Sequence, residues 1–496
     1  MTSVDSRPDA PSTPPIPSAR RWWILAALSI AQLMVVLDST IVNIALPVAQ
    51  QDLGFDDGGR QWVITAYSLA FGSLLLIGGR VNDLFGRKNS FVIGLIGFAG
   101  ASALGGWAPT FEVLVGARAL QGVFAALLAP AALSLLTVTF AGSRDRGKAF
   151  GIFGAVAGAG AAVGLLLGGV LTEYLSWRWC LYVNVVFAGV ALVGALLLFP
   201  RHVKEEHAKG LDWLGAAVVT AGLFLLVYGF SHSETNGWDD PLTIGFLAAG
   251  VALLALFVMV QRSVAHPLLP LRVLLDRVRA ASYLIMLISA VGLFGVSLFL
   301  TFYLQQSLGF SPVVTGVAFL PMTVAIALAA SITGSVLTTR VSPRITATAG
   351  MLLGAAGMAS LTLIGTDSSY VSHVLPGLIL VGLGLGLIFA NGMGFATIGV
   401  DNADAGVASA TVNTAQQIGG AIGIALLSSV SAAAATSFAT ESGPSADLAE
   451  AAAIAGFQSA FWWAAGFFLV GALVAGVLYE NRIPRSEPGA DPVLVH

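Results

Sequence analysis

Long apolar runs, separated by short polar or basic turns, fill this chain from residue 23 to residue 479. A bilayer-spanning helix needs roughly 20 mostly apolar residues. That ruler predicts fourteen helices, at about 23–47, 61–81, 90–107, 110–140, 150–171, 179–199, 212–230, 241–261, 281–304, 314–338, 345–365, 374–397, 407–430 and 458–479. An even count puts both termini on one side. The stretch 431–457, rich in Ala and Ser, reads as a long loop between the last two spans, with 447–457 as a short interfacial helix or, in the simpler reading, a linker.

Composition agrees with an all-α polytopic membrane protein: 56% of residues are hydrophobic, 10% are charged, and mean hydropathy is +0.86. The net charge of -3 gives no sign of a nucleic-acid partner, and a single cysteine, Cys180, excludes an internal disulfide. The first 20 residues, rich in Pro, Ser and Asp, read as a disordered tail. Arg20, Arg21, Trp22 and Trp23 then open the first span as an interfacial anchor. Placing the tails and every second loop in the cytoplasm gathers 20 of the 23 Lys and Arg residues there, leaving Arg60, Arg118 and Arg178. This bias assigns both termini to the cytoplasmic side of the cell membrane.

The turn between helices 2 and 3, GGRVNDLFGRKN, carries Gly79, Asp83, Gly86, Arg87 and Lys88. Gly79 is expected to let two helices approach, Asp83 to sit at a helix end, and Gly86, Arg87 and Lys88 to make a tight cationic corner. SVLTTRVSPR, between helices 10 and 11, looks like a degraded copy, with Arg344 256 positions after Lys88. Six helices with loops need roughly 180–200 residues, so the surplus fits two extra helices between two six-helix halves. The expected organisation is a tail (1–20), a first bundle (21–199), two inserted helices (200–265), a second bundle (266–480) and a C-terminal tail (481–496).

Ionisable groups inside a bilayer are costly. Asp38 in helix 1 falls roughly 22 Å from the cytoplasmic boundary, and Arg118 in helix 4 roughly 18 Å, so the two share a depth. A carboxylate beside an arginine holds its proton weakly, whereas an unpaired, desolvated one holds it tightly. The pair is therefore either a proton switch or a static lock between two helices. In helix 5, Gly160, Gly164, Gly168 and Gly169 place small residues where a neighbouring helix packs closely.

The turn's five residues at their spacing resemble the signature loop of the major facilitator superfamily. LDSTIVNIALP (Leu37 to Pro47), RALQGVFAALLAP (Arg118 to Pro130), SWRWCLYVN (Ser176 to Asn184) and the fourteen-helix layout resemble its drug:proton antiporters, the EmrB/QacA subfamily. The resemblance implies that Asp38 and Arg118 couple protons to substrate, with Asn43 and Gln121 as supporting polar groups. It also implies that Asp83 and Arg87, with Asp145 as a partner, hold a cytoplasmic gate. The family's helix 5 motif has a proline after its second glycine; here Leu165 stands in that place.

No P-loop is present, and the six histidines lack metal-ligand spacing, so the reading names no cofactor and no enzyme chemistry. The expected activity is export of a small amphipathic or lipophilic molecule, driven by the proton gradient, from a monomer that alternates its access. Phe153, Phe302, Asn391, Asn413 and Gln417 are candidates for the substrate cavity. Export of an endogenous metabolite, lipid or amino acid is the alternative; a membrane sensor or embedded enzyme finds no clustered polar groups or soluble domain to support it.

Overall fold

The computed structural model describes residues 18–140, 145–199, 212–264, 267–269, 271–337, 340–397, 405–442 and 448–481, and every long element among them is helical. In order these are α1 (Ser18–Leu53), α2 (Asp57–Phe85), α3 (Arg87–Trp107), α4 (Phe111–Thr139), α5 (Arg146–Tyr174) and α6 (Trp179–Leu198). There follow α7 (Trp213–Asn236), α8 (Pro241–Ser263), a short α9 (Leu271–Leu274) and α10 (Arg277–Phe302), which runs on through a π-helical turn to Ser307. The chain ends with α11 (Pro312–Ala318), α12 (Leu320–Ile332), α13 (Pro343–Leu361), α14 (Leu375–Thr397), α15 (Ala405–Ser442) and α16 (Leu448–Leu478). Eleven helical stretches among the described residues are long and apolar enough to cross a membrane. Residues 1–17 and 482–496, with Arg7, Arg482 and Arg485, and the basic residues Arg144, Arg201, Lys204 and Lys209 lie outside the described residues, and α1 begins at Ser18, inside the predicted tail.

Local signals set the boundaries. Asp56, Asp212 and Asp276 each accept from the backbone N–H three residues on, and Asp240 accepts from Leu242 and Thr243, so these helix starts are capped by side chains. Pro241, Pro312 and Pro343 occupy first-turn positions, where no backbone N–H is needed. The predicted tenth span divides near Phe319, because Pro321 follows at the start of α12. Lipid-facing stripes are plain: Val186, Val190, Val193 and Leu197 run exposed along α6.

Helices α1–α6 pack among themselves, and so do α10–α16. The two sets repeat one pattern: α1 lies against α5 and α6 as α10 lies against α15 and α16, and α3 against α4 and α6 as α13 against α14 and α16. Between the sets, α2 packs on α15 and α5 on α11, while the α7–α8 hairpin leans on α2 and α15. The end at which α1 begins is called proximal below, and the end with the α1–α2 turn distal. One large apolar core joins both sets through the distal part of α1, Leu165 of α5 and the length of α10. A second core, from Ile24 to Val35 of α1 with Phe91, Leu95 and Phe98, belongs to the proximal end of the first set, with Ala410 of α15 at its margin.

Two expectations need correction. The predicted linker before the last span is helical on both flanks: α15 continues to Ser442 and α16 starts at Leu448, because alanine favours helix more than any other residue. Gly79 is not the point of close approach, since a Cβ there would meet only Pro130, at 4.0 Å. Its neighbour Gly78 is, with a Cβ falling 2.0 Å from the Ala126 carbonyl oxygen. Gly86 joins α2 to α3 at φ 89° and ψ 135°, a region costing a residue with a Cβ about 1–3 kcal/mol. We therefore expect Gly86→Ala to lower the thermal midpoint of the detergent-purified protein and Gly79→Ala to leave it unchanged. Equal losses from both would contradict these placements.

Candidate functional site

At the centre of the first helix set, five helices contribute to one hydrogen-bonded network around a carboxylate. Asp38 of α1 is completely buried. Its Oδ2 accepts from Arg118 Nη1 of α4 at 2.6 Å, and its Oδ1 accepts from Gln121 Nε2 at 2.9 Å and Asn184 Nδ2 of α6 at 2.7 Å. Arg118 Nη1 also donates to Gln121 Oε1 at 2.8 Å, and its Nε donates to the Val63 carbonyl of α2 at 3.1 Å. The guanidinium lies over the Tyr67 ring, 4.5 Å from its centre. Gln121 Nε2 donates as well to Ser102 Oγ of α3 at 2.7 Å.

Such a site is tolerable inside a membrane because the carboxylate has one counter-charge and two neutral donors. The same enclosure makes it sensitive to change. A proton added to Asp38 removes the negative end of the pair and leaves the Arg118 charge buried, a cost that only a rearrangement relieves. Sequence reasoning brought together Asp38, Arg118 and Gln121. It missed Asn184, Ser102 and the Val63–Tyr67 wall. Asn184, a lone amide well inside an apolar span, was the legible signal; Ser102 and Tyr67 gave none. Asn43 is buried on α1 but is not among Asp38's donors.

The helix 5 glycines divide into two groups. A Cβ at Gly160 would meet Val36 at 3.1 Å, at Gly164 the Thr40 hydroxyl at 2.1 Å, and at Gly168 the Ile41 side chain and carbonyl at 2.9 Å, so all three seat α5 against α1. At Gly169 it would fall 2.6 Å from the Pro312 carbonyl oxygen of α11. Gly316 answers from the other side, its Cβ position 2.5 Å from the Leu165 carbonyl. This backbone-to-backbone seam closes the distal end between the two sets. Around it, Glu173 accepts from the Val313 N–H at 3.0 Å, Gln305 Nε2 donates to the Ile44 carbonyl at 3.0 Å, and the Arg60 guanidinium sits 4.4 Å above the Phe302 ring.

The sequence profile of the Major Facilitator Superfamily matches residues 28–424. The chain belongs to the major facilitator superfamily. Among its relatives, the puromycin resistance protein of Streptomyces alboniger is 50% identical over 473 residues, covering 95% of this chain and 94% of that protein. The cephamycin export protein of Amycolatopsis lactamdurans is 36% identical over 498 residues, covering 100% and 99%. A bacterial homologue of the human lysosomal transporter Spinster, solved inward-facing and unoccupied, superposes with a TM-score of 0.66 at 15% identity, over 93% of this chain and 97% of that one.

Other candidate positions of this major facilitator chain are scattered. Gly86 turns the α2–α3 corner, Arg87 opens α3, and Lys88 Nζ donates to the Phe199 carbonyl at the end of α6 at 2.8 Å. Arg20 Nε donates to the adjacent Leu198 carbonyl at 2.8 Å, so two cations answer the unpaired carbonyls of one helix terminus. Asp83 falls in the last turn of α2, its side chain outside the described residues, and Asp145 is the exposed residue before α5. Two cavity assignments are corrected. Phe302 is buried in the distal seam under Arg60, and Asn391 spends its amide between α13 and α14, accepting from Thr346 Oγ1 at 3.1 Å and donating to the Leu387 carbonyl at 2.7 Å. Phe153 is half-buried on α5, Asn413 is exposed on α15, and Gln417 lies with its Cβ 2.9 Å from the Cβ position of Gly72.

Proposed function

We propose that this chain is a drug exporter that moves an amphipathic antibiotic out of the cell in exchange for entering protons. The supporting frame is fourteen spans, as two six-helix bundles at 21–199 and 266–480 with an inserted pair at 200–265, acting as a monomer without a cofactor. Both termini face the cytoplasm, so the distal end is the outer face of the cell membrane. The observation that carries the coupling is the enclosed Asp38–Arg118 pair: a membrane-buried charge pair whose neutralisation strands one partner supplies the energetic step an antiporter needs.

The kinship with a puromycin resistance protein makes a puromycin-like, weakly basic nucleoside antibiotic the first substrate to try. The residues assigned to its recognition are Phe153 of α5 and Asn413 and Gln417 of α15, an aromatic ring and neutral amides. Gly86, Arg87, Lys88, Asp83 and Asp145 are assigned to the cytoplasmic gate. The test is reconstitution into proteoliposomes with an imposed pH gradient. Added puromycin is expected to release stored protons in step with its own movement, and a neutral dye to be carried better than a permanent dication. Substrate movement without proton release would make the chain a facilitator and end the antiport reading.

A further inference from the structure

Above Asp38, toward the distal end, the first bundle contains an apolar storey built by the same helices that build the charged one. Val42, Ala45, Leu46 and Ala49 continue from Asp38 along one face of α1; Leu114 lies one turn from Arg118 on α4; Leu181 and Cys180 lie one turn from Asn184 on α6; and Val63, whose carbonyl holds Arg118, completes the wall from α2. These side chains surround a cavity of about 10 Å³, room for a single water, and none of its walls offers a polar surface. Trp177, in the turn between α5 and α6, closes it on the distal side and is itself buried.

Trp177 is pinned from outside. Its Nε1 donates to Asp52 Oδ2 at 2.9 Å, the same oxygen takes a hydrogen bond from Arg178, and the Arg178 guanidinium stacks 4.5 Å from the centre of the Trp177 ring while donating to the Ala108 carbonyl at 3.2 Å. Asp52 and Arg178 are 47% and 31% exposed, so this clamp faces solvent. Asp52 follows Asp38 by 14 residues, about 21 Å of helix. The bundle axis thus carries an exposed carboxylate, an aromatic lid, an apolar cavity and a buried carboxylate, in that order.

We propose that Trp177 and the cavity beneath it form a proton plug, which keeps the outer solution from reaching Asp38 through the interior of the first bundle and so forces protons to arrive only with the alternating movement of the two bundles. The proposal rests on Asp38 being the proton-coupling group. An apolar gap that offers no hydrogen-bonding partner interrupts a hydrogen-bonded chain from Asp52 to Asp38, whereas a continuous file of water there would let protons pass without substrate.

Substrate-free proteoliposomes under an imposed pH gradient test it, with wild type, Trp177→Ala, Trp177→Phe and Val42→Thr, the last adding a hydroxyl to the cavity at nearly unchanged shape. Correct folding is checked by a wild-type rate of puromycin exchange at equal pH on both sides. Trp177→Ala is expected to raise proton leak several-fold, Val42→Thr to raise it less, and Trp177→Phe to stay tight because the ring still fills the lid. Adding Asp38→Asn to Trp177→Ala is expected to return the leak to the wild-type level. A folded Trp177→Ala and Val42→Thr that both stay tight overturn the plug, and so does a leak that survives Asp38→Asn, which would be a general hole. If Asp38→Asn alone keeps substrate-driven proton release, the coupling reading beneath the proposal falls instead.

Discussion

Replacing Asp38 with Asn is expected to abolish gradient-driven export while leaving exchange of substrate for substrate across proteoliposomes near the wild-type rate. Exchange needs the bundles to rock with cargo bound but moves no net protons, so it survives the loss of a coupling group. The variant is also expected to be less stable: it strands the Arg118 charge in a buried site, and breaking one partner of a buried pair costs about 3–5 kcal/mol. That loss by itself would be compatible with a static lock between α1 and α4. The double variant Asp38→Asn with Arg118→Met decides. Replacing both charges with groups of similar bulk often restores or improves stability, and the Met side chain can lie over Tyr67 as the guanidinium does. A lock would then regain export along with thermal stability. A coupling group would regain stability alone, and proton release on adding substrate would remain absent.

Much of this arrangement was legible in the residues. Long apolar runs with basic turns gave the helices, because in a bilayer the backbone must satisfy itself and helices do so locally. Asp38 and Arg118 announced themselves by charge, and arithmetic on helix rise put them at one depth. What the sequence did not carry was which neutral residues share a face across helices far apart in the chain. Asn184 reaches Asp38 across 146 positions, and Asn391, chemically the same group, is spent on Thr346 and Leu387 instead. Glycine was misread for a related reason. A run of Gly78 and Gly79 gives no sign of which one faces a neighbour, and only the rotation of α2 against Ala126 makes Gly78 the contact. The loop expected before the last span failed differently: Ala and Ser are weakly apolar, so a hydropathy ruler passed over a stretch whose helix propensity is high.

Gly169→Leu is expected to shift the molecule away from the conformation described here, and by more than any other substitution along α5. Gly160, Gly164 and Gly168 seat α5 on α1 inside one bundle, so side chains there strain the fold in every state the bundle visits. Gly169 faces α11 of the other bundle, where a Cβ would press to 2.6 Å on the Pro312 carbonyl oxygen and 2.7 Å on the Val313 Cα. Backbone cannot step aside as a flexible side chain does, and overpacking of this kind costs about 1–3 kcal/mol. The penalty exists only while the distal seam is closed, so it acts on the equilibrium between states, by about 5- to 150-fold. Spin labels at Tyr174 and Val314, both exposed beside the seam, report it as a longer distance between α5 and α11. Export should fall because the distal face no longer reseals, while Gly316→Val, pressing on the Leu165 carbonyl from the opposite side, should give the same distance change. Leu165 itself makes the distinction sharp. Its carbonyl contacts Gly316 without a proline beside it, so the seal on this face is made by backbone approach at Gly169 and Gly316, and a distance unchanged in both variants would remove the seam from the gating mechanism.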